Sequence, residues 1–371
     1  NLSGKIAGND NKWHNPDSKV KSTTLQIADG MLGWGTATIE SVDPRAQYDT
    51  DDGLTVFEPE DLLQAWFTVI ANNHATGTGT FEAPGQTGTN IDKAYLTAEG
   101  LDLQQLVEKF LHVAVSYNQL TEDYFNTDAD FGASTAGEST KGLLAGHSAV
   151  EEGKKYTALE HHFDEGFGYF GAARNYGDLT TAQIKSGYSK DSDSDGKISL
   201  KSEYNFGISK NYAKRSLLDS GDAASTNYWA DSFKTFLVTR HLIASKPEGY
   251  LAAVKQLALV AKQDWEKGLA ATVIHYINEV IKDMENTTDY SFANHAKHWG
   301  EMKGFGLGFQ FNPDSVMTID QFKQLHTWFA DKPVLKTADA ADQTAYIASL
   351  KEARTTLGTI YGFDTTIVEG W

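Results

Sequence analysis

Past residue 58 the apolar residues recur at helical period along most of the chain, and the alternation expected of strands is almost absent. The clearest segment is 101–125, where Leu103, Leu106, Val107, Phe110, Leu111, Ala114, Tyr117 and Leu120 return every three or four residues. That spacing lays them along one side of a helix. An earlier helix opens at Pro59-Glu60-Asp61, with proline in its first turn and acids beside it. Leu62, Leu63, Trp66, Phe67 and Ile70 form its apolar face. Further helical patterns fall near 155–175 and at 179–187, 200–218, 226–245, 248–264, 266–286, 290–303, 318–330 and 341–359. Residues 1–22 read as a polar tail and 23–34 as a short helix weakened by Gly30 and Gly33. Segments 36–58, 73–97 and 126–142 read as loops. The expected fold class is all-α, one helical bundle or two packed bundles. Three parts are expected: 1–97 as arm, loops and first helices, 98–220 as a first bundle half, and 221–371 as a second. The break falls near 219–226, where Asp-Ser-Gly-Asp-Ala-Ala-Ser-Thr interrupts the pattern.

A chain of 371 residues, 40% of them hydrophobic, can bury a large core. Its net charge of -18 argues against nucleic acid and anionic membrane surfaces as partners. A cationic ligand or a metal ion fits that charge, and so does a plain solubilising surface. The absence of cysteine excludes disulfides, thiolate metal sites and a cysteine nucleophile. A metal must therefore bind through imidazole, carboxylate or carbonyl. The apolar runs at 251–261 and 270–281 are broken by Lys255, His275, Asn278 and Glu279, so no transmembrane segment is expected. The chain starts at Asn1, as a mature or trimmed form would.

Asp191-Ser-Asp193-Ser-Asp195-Gly196-Lys197-Ile198 matches the first eight positions of an EF-hand calcium loop. Alternate aspartates supply oxygens, Gly196 permits the sharp turn, the Lys197 carbonyl is the next ligand, and Ile198 anchors the loop. Helical patterns lie on both sides. The bidentate acid of the twelfth position is displaced by one, from Ser202 to Glu203. The alternative is an Asp/Ser/Gly surface loop without an ion. With an ion, the expected role is structural, because a single loop without a second hand is a poor sensor.

The other chemistry-bearing segment is Glu160-His161-His162-Phe-Asp164-Glu165. On a helix His161 and Glu165 are four apart and His162 and Glu165 three apart, so each pair shares a face. Bundles build metal sites from such pairs on facing helices. His298 and Glu301 repeat the spacing in a second helix, and Glu108/His112 and His275/Glu279 repeat it again. Iron, zinc, copper or manganese would suit imidazole with carboxylate. A histidine satisfied by hydrogen bonds in the core is the competing explanation, and is the preferred one for His112, His275 and His241. No His-Glu-x-x-His, Gly-x-Ser-x-Gly or phosphate loop is present. The glycine run Gly304-Phe-Gly306-Leu-Gly308 reads as a helix end in close packing.

Tyr156-Thr-Ala-Leu-Glu-His-His-Phe-Asp-Glu-Gly-Phe-Gly-Tyr-Phe resembles the signature of an uncharacterised bacterial envelope family, often lipoproteins, known only as a domain of unknown function. Leu106-Val-Glu-Lys-Phe, Tyr117-Asn-Gln and the stretch from His298 to Pro313 are similar to its other shared segments, so the resemblance covers roughly 100–330. More distantly the chain resembles the imelysin family, helical bundles with a Gly-x-His-x-x-Glu motif. His162-Phe-Asp-Glu165 supplies the His-x-x-Glu, while Glu160 stands where that motif has glycine. Gly146-His147-Ser-Ala-Val-Glu151 is a rival with its acid one residue late. The resemblance implies a secreted, periplasmic or outer-membrane-attached protein linked to iron or other metal acquisition, with an outer-membrane uptake partner.

Three functions compete. The first is an envelope-exposed metal-binding protein with a structural calcium site. The second is a calcium-stapled protein that binds extracellular glycan or another polymer through its aromatic residues. The third is a metallopeptidase-like hydrolase with Glu165 as general base, ranked last because the zinc-peptidase spacing is missing.

Overall fold

The computed structural model describes residues 59–77, 79–129, 140–216 and 226–371. The tail, short helix and loop expected within 1–58 lie outside the described residues, as does the interruption at 219–226 apart from Thr226. In chain order the α-helices are α1 (Pro59–Thr76), α2 (Leu103–Leu111), α3 (Ala158–Phe170), α4 (Thr181–Ser186), α5 (Gly207–Lys214) and α6 (Tyr228–Ser245), followed by α7 (Tyr250–Glu285), α8 (Phe292–Gly306), α9 (Ile319–Phe329), α10 (Ala340–Tyr361) and α11 (Thr365–Gly370). Two short strands, β1 (Thr80–Glu82) and β2 (Asn90–Asp92), pair antiparallel with Phe81 opposite Ile91. The fold is all-α, with one small hairpin in a segment expected to be loop.

Two differences from the periodicity are informative. The helix expected over 101–125 is α-helical only to Leu111, after which His112–Tyr117 and Gln119–Tyr124 wind as wider π-turns. The helices expected at 248–264 and 266–286 are one, α7, of 36 residues. Nothing in its interior breaks the ladder: Gly268 has no Cβ because the Tyr212 ring occupies that space. Among the described residues no helix is long and apolar enough to cross a membrane.

The helices fall into two compact units that do not follow chain order. Among the described residues, one comprises those of 59–114, 270–310 and 316–371, and the other those of 115–269 and 311–315. The cut expected at 97/98 falls inside the first unit, and that at 220/221 lies outside the described residues. A boundary read from composition marks where helices stop, whereas α7 carries the chain through 269/270 without stopping.

In the first unit, α8 lies against α2 because glycines let the backbones approach. A Cβ at Gly304 would come within 2.9 Å of Lys109 Cβ and 3.1 Å of the Leu106 carbonyl, and one at Gly308 within 2.7 Å of Val113 Cβ. The close packing expected of the glycine run is present, with α8 ending at Gly306 and Leu307–Phe311 continuing as a 3-10 turn. Trp299 is fully buried and donates to the Phe329 carbonyl at 3.1 Å and the Tyr346 hydroxyl at 2.9 Å. The hairpin packs Ala83 and Ile91 over Phe292 and Ala296.

The second unit has an aromatic core. Phe170 touches Tyr176, Tyr212, Phe236 and Trp265 with ring centroids 5.0–6.1 Å apart. Phe125 stacks on Phe163 at 5.2 Å. Phe125 also fills the space where Gly166 lacks a side chain, its ring carbons 2.7 and 2.8 Å from the missing Cβ. Below these rings Glu266, wholly buried, accepts from the Tyr117 hydroxyl at 2.9 Å and the Ser315 hydroxyl at 2.7 Å, and from the Asn312 amide. The donors offset the desolvation a buried carboxylate carries.

Candidate functional site

The aspartate loop follows α4. Thr180 caps α4 with a reciprocal bond to Gln183, and Gly187, in the left-handed region, ends it. One oxygen from each of Asp191, Asp193 and Asp195 lies within 4.8 Å of the others. Asp191 accepts the Asp195 amide at 3.2 Å through Oδ1 and the Gly196 amide at 2.8 Å through Oδ2. Asp193 Oδ1 accepts the Asp195 amide at 3.2 Å, and Asp195 Oδ1 the Lys197 amide at 2.8 Å. Gly196 has φ of +81°, the turn that position demands, and Ser194 shares the left-handed region at +62°.

Glu203 is 2% exposed and closes the loop. Its Oε1 accepts both the amide and the hydroxyl of Ser192 at 2.6 Å, and its Oε2 accepts the Ser199 amide at 2.9 Å. These donors, the Ser192 hydroxyl foremost, pull its carboxyl down to about 2. Asp193 goes the other way: although the Asp195 amide opposes it, desolvation and the carboxylates of Asp195, Glu203 and Asp191 raise it above its ordinary range. The loop thus concentrates like charges that a cation would relieve, with only oxygen donors, the set that hard divalent ions take.

Two features differ from the expected loop. Glu203 is outside the group of converging oxygens, since its carboxylate is turned to Ser192 and Ser199. The helices of a hand do not abut the loop either, because α4 ends at Ser186 and α5 begins only at Gly207. The Lys197 amide donates to Asp195 at 2.8 Å, which leaves its carbonyl as the atom expected to face an ion.

The histidine–carboxylate segment forms α3, as expected. Thr157 and Glu160 make a capping box at its start, and Gly171, at φ +73°, ends it. Of its four candidate ligands, His161 and Glu165 pair, and His162 and Asp164 turn elsewhere. His161 Nε2 is 3.7 Å from Glu165 Oε1, and these side chains are 37% and 41% exposed. His162 Nδ1 lies 3.0 Å from the Gly142 carbonyl. Asp164 is held by Arg240 at 2.8 and 3.5 Å, and the same guanidinium reaches Glu160 at 3.3 Å. Glu165 also bonds the Tyr124 hydroxyl, which burial and that carboxylate push upward. At 100° per residue His161 and Glu165 share a face and pair with each other, whereas His162 and Asp164 leave α3 in other directions and meet Gly142 and Arg240.

His298 and Glu301 separate in the same way. His298 Nδ1 is 2.7 Å from Asp283 Oδ2, whereas Glu301 accepts the Tyr276 hydroxyl at 3.0 Å and has Lys109 at 3.5 Å. His112 is half-buried against Phe305 and His275 half-buried against Tyr276, but His241 is exposed, not in the core. Buried His295, bonded to the Tyr290 hydroxyl at 3.2 Å, is pushed down to about 4 by desolvation. Among the described residues, Asp191, Asp193 and Asp195 are the group whose ligand atoms converge. Reading the sequence missed Arg240 and Asp283, which hold Asp164 and His298. It also missed Glu266, whose signal is its place beside Trp265 and Leu269 on the apolar side of α7.

These features define an all-α protein with an acidic loop and no convergent imidazole site among the described residues. The chain belongs to the family described as "Domain of unknown function (DUF4856)", whose model matches residues 55–318 and so takes in both α3 and the aspartate loop. No curated protein and no solved structure matches the chain.

Proposed function

We propose that this is a calcium-binding protein of the bacterial envelope, secreted, periplasmic or attached to the outer membrane, in which the ion staples residues 191–203 and the protein binds rather than transforms its ligand. The observation that carries the reading is the convergence of the Asp191, Asp193 and Asp195 oxygens within 4.8 Å on a loop pinned by Glu203. A loop with three carboxylates and no bidentate acid suits the weak end of calcium binding. Sites of extracellular modules have dissociation constants of about 10⁻⁴–10⁻³ M, which favours a compartment outside the cytosol. The imelysin-like bundle belongs to the same reading. Transition-metal acquisition would need His161, His162 and Glu165 to leave Tyr156, Gly142 and Tyr124.

The test is elemental analysis of protein purified without chelators, followed by calcium titration calorimetry. Near-stoichiometric calcium, lost in Asp191→Ala/Asp193→Ala, supports the proposal. No heat at millimolar calcium overturns it.

One observation favours a polymer as the ligand. Tyr156 stacks on His161 at 4.9 Å and Tyr124 on Tyr169 at 5.5 Å, and His162 joins the two pairs, its ring 6.0 Å from that of His161 and 6.2 Å from that of Tyr124. This half-buried row of rings offers stacking faces to sugars. A glycan array without hits in calcium removes that second reading.

A further inference from the structure

Beside the aspartate loop, α3 and α6 leave an apolar cleft of about 600 Å³ floored by Phe163, Phe167 and Phe236. Its walls carry large side chains that water rarely meets in such numbers: Leu200 is 64% exposed, Leu237 56%, Phe206 47% and Tyr204 40%. A second cleft of about 400 Å³, reaching Trp229 and Phe233, shares Arg174 and Leu237 with the first. Contiguous exposed apolar surface of this kind marks a binding site more often than a bare face.

The charge around it is opposite to that of the chain. Arg174, Lys201, Lys234 and Arg240 line the two clefts against Asp164 and Asp178, in a protein of net charge -18. Arg240 is engaged by Asp164 and Glu160. The side chains of Arg174 and Lys201 make no hydrogen bond or ion pair among the described residues, and both are exposed. Apolar walls with unpaired cations at the rim complement a molecule that is apolar along its length and anionic at one end.

The geometry points to a binding site for a single anionic amphiphile, its chain laid over Phe167 and Phe206 between Leu200 and Leu237, its carboxylate or phosphate head at Arg174 and Lys201. The site does not rest on the calcium reading. The cleft is concave and sized for one molecule, so the occupant is a monomer and not a membrane surface.

The test is titration calorimetry of the full chain with dodecanoate below its critical micelle concentration, with dodecyl maltoside and acetate as the neutral and chainless probes, and with phosphatidylglycerol vesicles. Saturable one-to-one binding of dodecanoate is expected, with dodecyl maltoside at least about tenfold weaker and acetate giving no heat. Arg174→Glu/Lys201→Glu weakens dodecanoate about tenfold and abolishes the preference over dodecyl maltoside, and Leu237→Asp weakens both dodecyl probes. All three positions are exposed, so the fold is retained, and an unchanged melting curve verifies it. Equal affinity for the neutral probe, indifference to the double charge reversal, or binding to vesicles without binding to dodecanoate each overturns the proposal.

Discussion

Glu203 grips Ser192 twice, taking its amide and its hydroxyl at 2.6 Å each on one carboxylate oxygen across eleven residues of chain. Ser192 stands between Asp191 and Asp193, so this grip sets the spacing of the first two candidate ligands. The displaced acid thus holds the loop at both Ser192 and Ser199. That makes the loop's charge cluster and its anchor separable by mutation.

Calcium at a hundredfold excess over its dissociation constant stabilises a fold that alone binds it by about 2.7 kcal/mol. Melting with calcium and again with chelator should show that difference, and Asp193→Ala should remove it. In the same preparations His162→Ala and Glu165→Ala should leave the metal content unchanged, because those side chains hold Gly142, His161 and Tyr124 rather than one another.

Glu203→Gln keeps the size of the anchor but loses its charge and half its accepting capacity. Partners that orient metal ligands cost about 10–100-fold in affinity when removed, so calcium titration of the variant should show a loss in that range. The carboxyl at about 2 in the fold, against an ordinary 4.5, gives stability present above pH 4.5 and lost as pH falls toward 2. Glu203→Gln should flatten that part of an acid-unfolding profile.

His295 and His326 are buried and neutral. Desolvation lowers both, with His298 and Lys336 adding to the fall for His295, Asp283 opposing it, and Lys303 adding to the fall for His326. The unfolded chain binds protons these groups refuse, so their contribution is complete above about pH 6.5 and is lost as pH falls toward 4. For His295 the loss amounts to at most about 3 kcal/mol. Lys303, desolvated down to about 7, gives stability that rises as pH climbs from 7 toward 10.5. Denaturant midpoints at pH 5, 7.5 and 9 should rise in that order, and His295→Gln should shrink the first step.

Two glycines in one helix should respond oppositely to alanine. At Gly166 the new methyl meets the Phe125 ring at 2.7–2.8 Å, an overpacking worth about 1–3 kcal/mol of destabilisation. At Gly168 nothing lies within 4 Å, and the entropy removed from the unfolded chain stabilises by about 0.5–1 kcal/mol. Thermal melts of the two variants should straddle that of the parent chain.

The class of fold was legible in the residues. Apolar period alone places α1, α6, α9 and α10 within a few residues, because a helix face is written in local spacing. Local chemistry also placed the aspartate loop, since alternate aspartates before Gly196 need only a tight turn to converge. The hairpin at 80–92 was not legible, because its strands are three residues each and gain their stability from Phe292 and Ala296, far along the chain.

What the sequence determined by itself was therefore written in local spacing: most of the helices and the candidate ligand triad. The tertiary structure alone decided which neighbours the histidines and acids of α3, and separately those of α8, meet. Asp164 goes to Arg240, 76 residues away, and Trp299 to Tyr346, 47 away, while His298 goes back to Asp283 on the preceding helix. A side chain's spacing fixes which face of its helix it occupies, but its partner is whatever the packing of other helices brings to that face.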